Sequence, residues 1–253
     1  MKNVNSYLLL FFALTLLAGL FLGWQFIAQD VSIVEDAGDV SASLFVFGYI
    51  LAATGLLFLV LKYYKGRNLF KALEFLLVFS SVQIVLFLFV NELLSLAGGL
   101  IAVGVRLWQP RVKNGFLLFA AMVVGAVLGS SLDLLPALVL AWLLASYDYV
   151  AVFKTKHMVK LAKQLSSRGA AFAIHLKKKK ESVQLGTGDV VVPVMLSVSA
   201  LKLSVPAALL GVAGAVVGLG LLLGVLEKFK GYYPALPPIV AYTTAFIAAS
   251  FLL

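Results

Sequence analysis

Nine apolar runs constrain this chain more than any motif does. Crossing a hydrocarbon core of ~30 Å takes about 20 residues of α-helix. Apolar stretches near that length occupy 7–27, 42–61, 73–90, 93–105, 115–132, 134–153, 190–203, 205–226 and 236–253, the fourth and seventh being short. Lipid offers no hydrogen-bond partners, so the backbone in each run must satisfy itself, as a helix does. With 62% hydrophobic and 12% charged residues among 253, the composition excludes a soluble globular domain. The expected fold class is an all-α membrane protein with nine transmembrane helices. Lys2 precedes the first run as in a signal peptide. That run is longer than a signal-peptide core and lacks a small-residue cleavage site, so a retained helix is expected.

Charge placement sets an expected orientation. With the N-terminus in the cytoplasm, Lys2, the 62–71 loop, 106–113, the 154–180 segment and Lys228 to Lys230 all fall inside, accounting for 19 of the 20 basic residues. Lys202 is the exception. The first outer loop carries Asp30, Glu35, Asp36 and Asp39 without a base. Positive-inside bias thus expects nine helices, a cytoplasmic N-terminus, an extracytoplasmic C-terminus and a location in the cell membrane. The net charge of +9 follows this alternation, so it points to topology and not to nucleic acid.

One segment resembles a linker. Residues 154–183 carry nine basic residues, His157 and His175, and read as a solvated loop attracted to anionic headgroups. It divides the chain into a six-helix part, 1–153, and a three-helix part, 184–253. No internal repeat is evident, which weakens an inverted-repeat transporter. The absence of cysteine rules out a disulfide framework, a thiol nucleophile and a Cys-based metal site.

Most carboxylates lie where water reaches them, and Glu74, Glu92, Asp133 and Glu227 read as interfacial. Asp148, near the inner end of the sixth run, and Asp189, at the start of the seventh, are different, because ionisable groups in apolar spans are costly and mark functional sites. Antiparallel topology puts them at comparable depth, so they can meet. Two such carboxylates share one proton and titrate as a unit. A pair of this kind suits amide hydrolysis, one member taking a proton from an attacking water and the other donating to the oxyanion. Neither metal nor cofactor is required. Gly186 and Gly188 flank Thr187 just before Asp189; lacking Cβ atoms, they permit positive φ and close approach of an extended backbone, or serve simply as a flexible loop. Before the ninth run, Pro234, Pro237 and Pro238 either break the helix in a buried or wet place or mark an ordinary helix start.

Tyr147-Asp148 on the sixth run, Gly186-Thr187-Gly188-Asp189 at the seventh and Pro234-Ala235-Leu236 at the ninth resemble, in order and spacing, the presenilin and signal peptide peptidase family of intramembrane aspartyl proteases. The similarity covers the whole chain, and YDYVAVFKTKHM looks most like the archaeal members, which lack eukaryotic partner subunits. The resemblance implies that Asp148 and Asp189 are the catalytic pair. It also implies that Pro234, Ala235 and Leu236 shape the site and receive substrate, and that transmembrane helices, locally unwound, are cleaved. It is compatible with a homo-oligomer. The linker is short beside that of presenilin and offers only AAFAIHL as an apolar segment, which puts self-cleavage in doubt.

Rival chemistries fit less well. A metalloprotease needs a motif such as H-E-x-x-H, and both histidines fall in the basic linker. A serine protease needs an intramembrane His, and there is none. Prepilin peptidases share GxGD but usually carry lysine where Val191 stands. A cation channel or proton-coupled transporter would use the same aspartates, and stays open on residues alone. A structural scaffold leaves both aspartates unexplained.

Overall fold

In the computed structural model, residues 2–34, 37–63, 68–109, 112–154, 173–178, 181–228 and 233–252 are described. Every apolar run becomes a helix: α1 Lys2–Ala28, α2 Val40–Tyr63, α3 Asn68–Phe87, α4 Glu92–Trp108, α5 Lys113–Ser131, α6 Leu134–Tyr149, α7 Gly188–Leu201, α8 Val205–Lys228 and α9 Leu236–Ala249. Helix α6 passes into a π-helical turn, Val150–Lys154, and α9 into a 3-10 turn, Ser250–Leu252. Among the described residues, four helices are long and apolar enough to cross a membrane by length and composition; the segments Val40–Leu56, Gly188–Leu201 and Leu236–Leu252 are shorter.

The linker is not loop throughout. Its second half forms an antiparallel hairpin, β1 Ala173–Lys178 and β2 Glu181–Gly186, with Ala173 opposite Gly186 and Lys178 opposite Glu181. The 183/184 division therefore falls inside β2. His175 sits on β1, whereas His157 and AAF of the apolar segment lie outside the described residues.

Helix α7 is the axis of the bundle. It packs against α1, α5, α6, α8 and α9, and from Val192 to Ala200 every residue is buried. The six-helix and three-helix parts thus interlock, because the central helix of the second is clasped by helices of the first. Small residues make this possible. A Cβ on Gly125 of α5 would lie 2.6 Å from the Val191 carbonyl oxygen, and one on Gly129 would lie 2.6 Å from that of Met195. On α1, a Cβ on Gly19 would lie 2.8 Å from Val194, and Gly23 abuts Val198 more closely still. On α8, a Cβ on Gly218 would meet the Pro238 carbonyl of α9 at 2.7 Å. Such small-xxx-small faces let helices associate where no hydrophobic driving force acts between them.

Two charges are placed differently from the expectation. Glu74 is not an interfacial, water-solvated group: it is 5% exposed and bound by Arg106 and Lys113. Lys202, out of step with the charge alternation, bonds Asp133 Oδ1 at 2.9 Å, joining the end of α7 to the start of α6. Both pairings cross between segments distant in sequence, which local spacing does not reveal.

A branched side chain at Gly125 must displace the α7 backbone, an overpacking cost of typically 1–3 kcal/mol. Gly125→Val is expected to lower the thermal unfolding temperature in detergent by several degrees. Gly104→Ala on α4, where nothing lies within 4 Å of the added methyl, is expected to leave it unchanged.

Candidate active site

The site is built where three helix ends converge: the last turn of α6, the first of α7 and the first of α9. Asp148 and Asp189 come together there, half-buried and close enough to interact electrostatically. Tyr147 precedes Asp148 on α6 and lies within reach of its charge.

Each carboxylate is held by a backbone N–H of a different motif. The Gly186 N–H donates to Asp189 Oδ2 at 3.0 Å, folding the end of β2 back over the start of α7. The Leu236 N–H donates to Asp148 Oδ2 at 3.2 Å, and the Ala235 N–H acts on the same carboxylate. First-turn N–H groups have no partner within their own helix. At α9 one of these orphan donors orients an acid on α6. Pro237 and Pro238 sit in that first turn, where a missing N–H costs nothing, so this is an ordinary proline-rich helix start. Pro234 is buried beneath it, and Ala235 is the N-cap residue, its carbonyl accepting the Ile239 N–H at 3.4 Å.

The two glycines separate in role, and neither adopts positive φ. A Cβ on Gly186 would stand 3.0 Å from Asp189 Oδ2, so the absent side chain makes room for the carboxylate. Gly188 is exposed and has open space within 4 Å of its missing Cβ, on the residue adjoining Asp189. Thr187, between them, occupies the N-cap position of α7, and its carbonyl accepts from the Val190 and Val191 N–H groups at 3.1 Å each. Four residues beyond Asp189, Pro193 brings no N–H, so the Asp189 carbonyl lacks its helical donor.

Features not singled out in the sequence complete the surroundings. Tyr149 and Phe153 meet edge-on at 5.0 Å between ring centroids, and Phe153 meets Tyr233 at 6.2 Å, bracing the end of α6 against the approach to Pro234. Tyr233 adjoins the proline motif, but Phe153 carries no signal in sequence, because its partner lies 80 residues away. An apolar groove of about 480 Å³ runs between α6 and α9, lined by Leu138, Val139, Trp142, Leu143, Ser146 and Thr244; Ser146 stands half a turn from Asp148. Among the described residues no group of three or more His, Cys, Asp or Glu is arranged to hold a metal.

The chain matches the family model described as signal-peptide peptidase, presenilin aspartyl protease over residues 9–250. No curated protein matches it. Two solved structures of a presenilin family intramembrane aspartate protease are similar to it. One, in a P2 crystal form, aligns at 25% identity over 96% of this chain and 97% of its own, with a TM-score of 0.69. The other, in a C222 form, aligns at 25% identity over 97% and 99%, with a TM-score of 0.72. With two acids converging where three helices end in a helical bundle, the conclusion is that the chain belongs to the signal-peptide peptidase and presenilin family and is an intramembrane aspartyl protease.

Proposed function

We propose that Asp148 and Asp189 are the catalytic pair of this endopeptidase and that its substrates are transmembrane helices of other membrane proteins. The observation that carries this is the meeting of the two carboxylates, each fixed by a main-chain donor, at the start of α7 and α9.

The chemistry follows from a pair sharing one proton. The ionised member takes a proton from water as the water oxygen bonds to the scissile carbonyl carbon. The protonated member gives its proton to the carbonyl oxygen. The tetrahedral diol then collapses as the amide nitrogen is protonated and the C–N bond breaks, releasing an amine and a carboxylic acid. Tyr147, Gly186, Thr187 and Gly188 keep the acids in register, and Pro234, Ala235 and Leu236 shape the opposite wall. The open space beside Gly188 and the outer edge of β2, which pairs with no further strand among the described residues, suit an extended substrate backbone.

The proposed topology has nine transmembrane helices, a cytoplasmic N-terminus, an extracytoplasmic C-terminus and the acids toward the cytoplasm of the cell membrane, supported by the basic segments at the ends that share a side with Asp148 and Asp189. Residues 1–153 supply one acid and 184–253 the other, with 154–183 between them. Sequence character favours an archaeal-type enzyme and is compatible with a homo-oligomer.

Asp148→Asn and Asp189→Asn are each expected to lower cleavage of a transmembrane peptide in proteoliposomes by at least about 10³-fold, within the usual worth of a positioned acid or base. Cleavage persisting in either variant refutes the assignment. The pair requires one proton and no more, so rate against pH is expected to be bell-shaped, falling at low pH as the second acid is protonated and at high pH as the shared proton is lost. A profile flat through the acidic range contradicts the shared proton.

The glycines give a separate test. Gly186→Ala displaces a catalytic oxygen and is expected to lower kcat by about 10²-fold with little change in KM. Gly188→Ala intrudes on the space for substrate and is expected to raise KM with kcat nearly kept. Equal effects on kcat at the two positions contradict the division of roles.

A further inference from the structure

The end of α6 changes its winding beside the acid it carries. Directly after Asp148 and Tyr149 the chain widens into the π-helical turn Val150–Lys154, and the Val150 N–H is shared between the Ser146 and Tyr147 carbonyls. No glycine or proline stands between Tyr147 and Lys154, so no helix breaker imposes the change. Single π turns are rare and gather at functional sites. Within this one Ala151 is fully buried, whereas Phe153 keeps 43% of its surface exposed, as does Tyr149 with 50%.

Three rings run outward from Asp148 to the proline motif. Tyr149 and Phe153 stand 5.0 Å apart between centroids at 64°, and Phe153 and Tyr233 stand 6.2 Å apart at 86°. Both pairs have the separation and edge-on tilt that ring quadrupoles favour. Tyr233 is the firm end of the series. Pro234 after it is buried, and a residue before proline is confined to extended backbone. Tyr233 also packs against the buried cluster of α1, α5, α7 and α8. The rings thus begin one residue after Asp148 and end three before Leu236, whose N–H donates to Asp148 Oδ2. At 3.2 Å that bond lies at the long end of the N–H···O range, so a second attachment between the two segments governs how well it is made.

We infer that Phe153 is a positioning residue for Asp148: held between Tyr149 and Tyr233, its ring sets the register of the α6 end against the start of α9, and with it where the Leu236 N–H meets the Asp148 carboxylate. The inference rests on the reading of Asp148 as a catalytic acid. Phe153 acts through that acid and not on substrate, so its removal slows the chemical step without weakening binding. The π turn is the device that brings its ring to Tyr233.

The test uses the full chain in proteoliposomes, with cleavage of a transmembrane peptide measured per folded molecule. Phe153→Ala is expected to lower kcat about tenfold, the upper worth of an edge-on ring pair, with KM nearly unchanged. Phe153→Tyr, which keeps the ring edge, is expected to recover most of the rate. Should Phe153→Ala not fold, Phe153→Leu, which keeps apolar bulk without the ring, is expected to lose about threefold. Combining Phe153→Ala with Tyr233→Ala is expected to give a protein no slower than the slower single variant, because both remove one contact. Unchanged kcat in Phe153→Ala, a loss confined to KM, or Phe153→Tyr as slow as the alanine variant overturns the inference. So does an equal loss in Trp108→Ala, an aromatic 83% exposed on α4, because anchoring of rings among headgroups then explains the effect. Asp148→Asn tells the two failures apart: if it is inactive while Phe153→Ala is fully active, this inference alone falls, whereas cleavage persisting in Asp148→Asn removes the reading of the acids beneath it.

Discussion

The structure depends on the enclosure of α7. At 14 residues this helix is about 21 Å long, some 9 Å short of a bilayer core. In contact with lipid it would strand polar backbone at its ends. Surrounded by α1, α5, α6, α8 and α9, it meets protein instead. That enclosure requires backbones to approach closely, which the glycine pairs on α1 and α5 allow at Val194 and Val198. Burial of α7 also fixes where its first turn stops, and hence how deep Asp189 lies. Packing in the middle of the bundle sets the depth of the chemistry at its end.

Helix ends solve a second problem. Two carboxylates in an apolar bundle repel each other and lose hydration, and main-chain dipoles can replace water without bringing a cation that would lock the pair into a permanent salt bridge. Asp189 lies in the first turn of α7, and Asp148 faces the first turn of α9, so both sit at positive helix ends. Their donors, the N–H groups of Gly186 and Leu236, are fixed by the fold and need no reorganisation when charge moves. Electrostatics also explains why the motifs are spread over three helices. Here the two acids draw their donors from different places in the chain, Asp189 from the end of β2 and Asp148 from the start of α9.

Much of this was legible in sequence. Among the described residues each apolar run holds a helix, because an apolar stretch in lipid must close its own backbone hydrogen bonds. The meeting of Asp148 with Asp189 follows from antiparallel topology, and the donor role of the proline motif was legible only as proximity, since which N–H points at Asp148 depends on the φ and ψ of Ala235. The hairpin was not legible: LKKKKESVQLG alternates poorly, its lysines read as solvated loop, and β1 lies beside α5, which is distant from it in sequence. Glu74 looked interfacial because its two cations arrive from 32 and 39 positions away. The two glycines could have served positive φ, close approach or mere flexibility; neither has a positive φ, and the missing Cβ of Gly186 makes room for Asp189.

A protease inside a membrane must resolve the same backbone constraint twice, once for itself and once for its substrate. A helix cannot present its peptide bond to a water and two acids while its carbonyls are engaged in intrahelical bonds, so a transmembrane substrate has to unwind locally. Unwound backbone has no partners in lipid, each unmet group costing several kcal/mol. The proposed site supplies them beside the acids: the edge of β2, which pairs with no further strand among the described residues, leads through Gly186 into the space at Gly188, and the Asp189 carbonyl is left without a helical donor by Pro193. On this view the hairpin is part of the catalytic apparatus. It lowers the cost of unwinding, while the acids lower the barrier to hydrolysis. Selectivity then depends on how readily a helix gives up its own hydrogen bonds, and side-chain pockets are secondary.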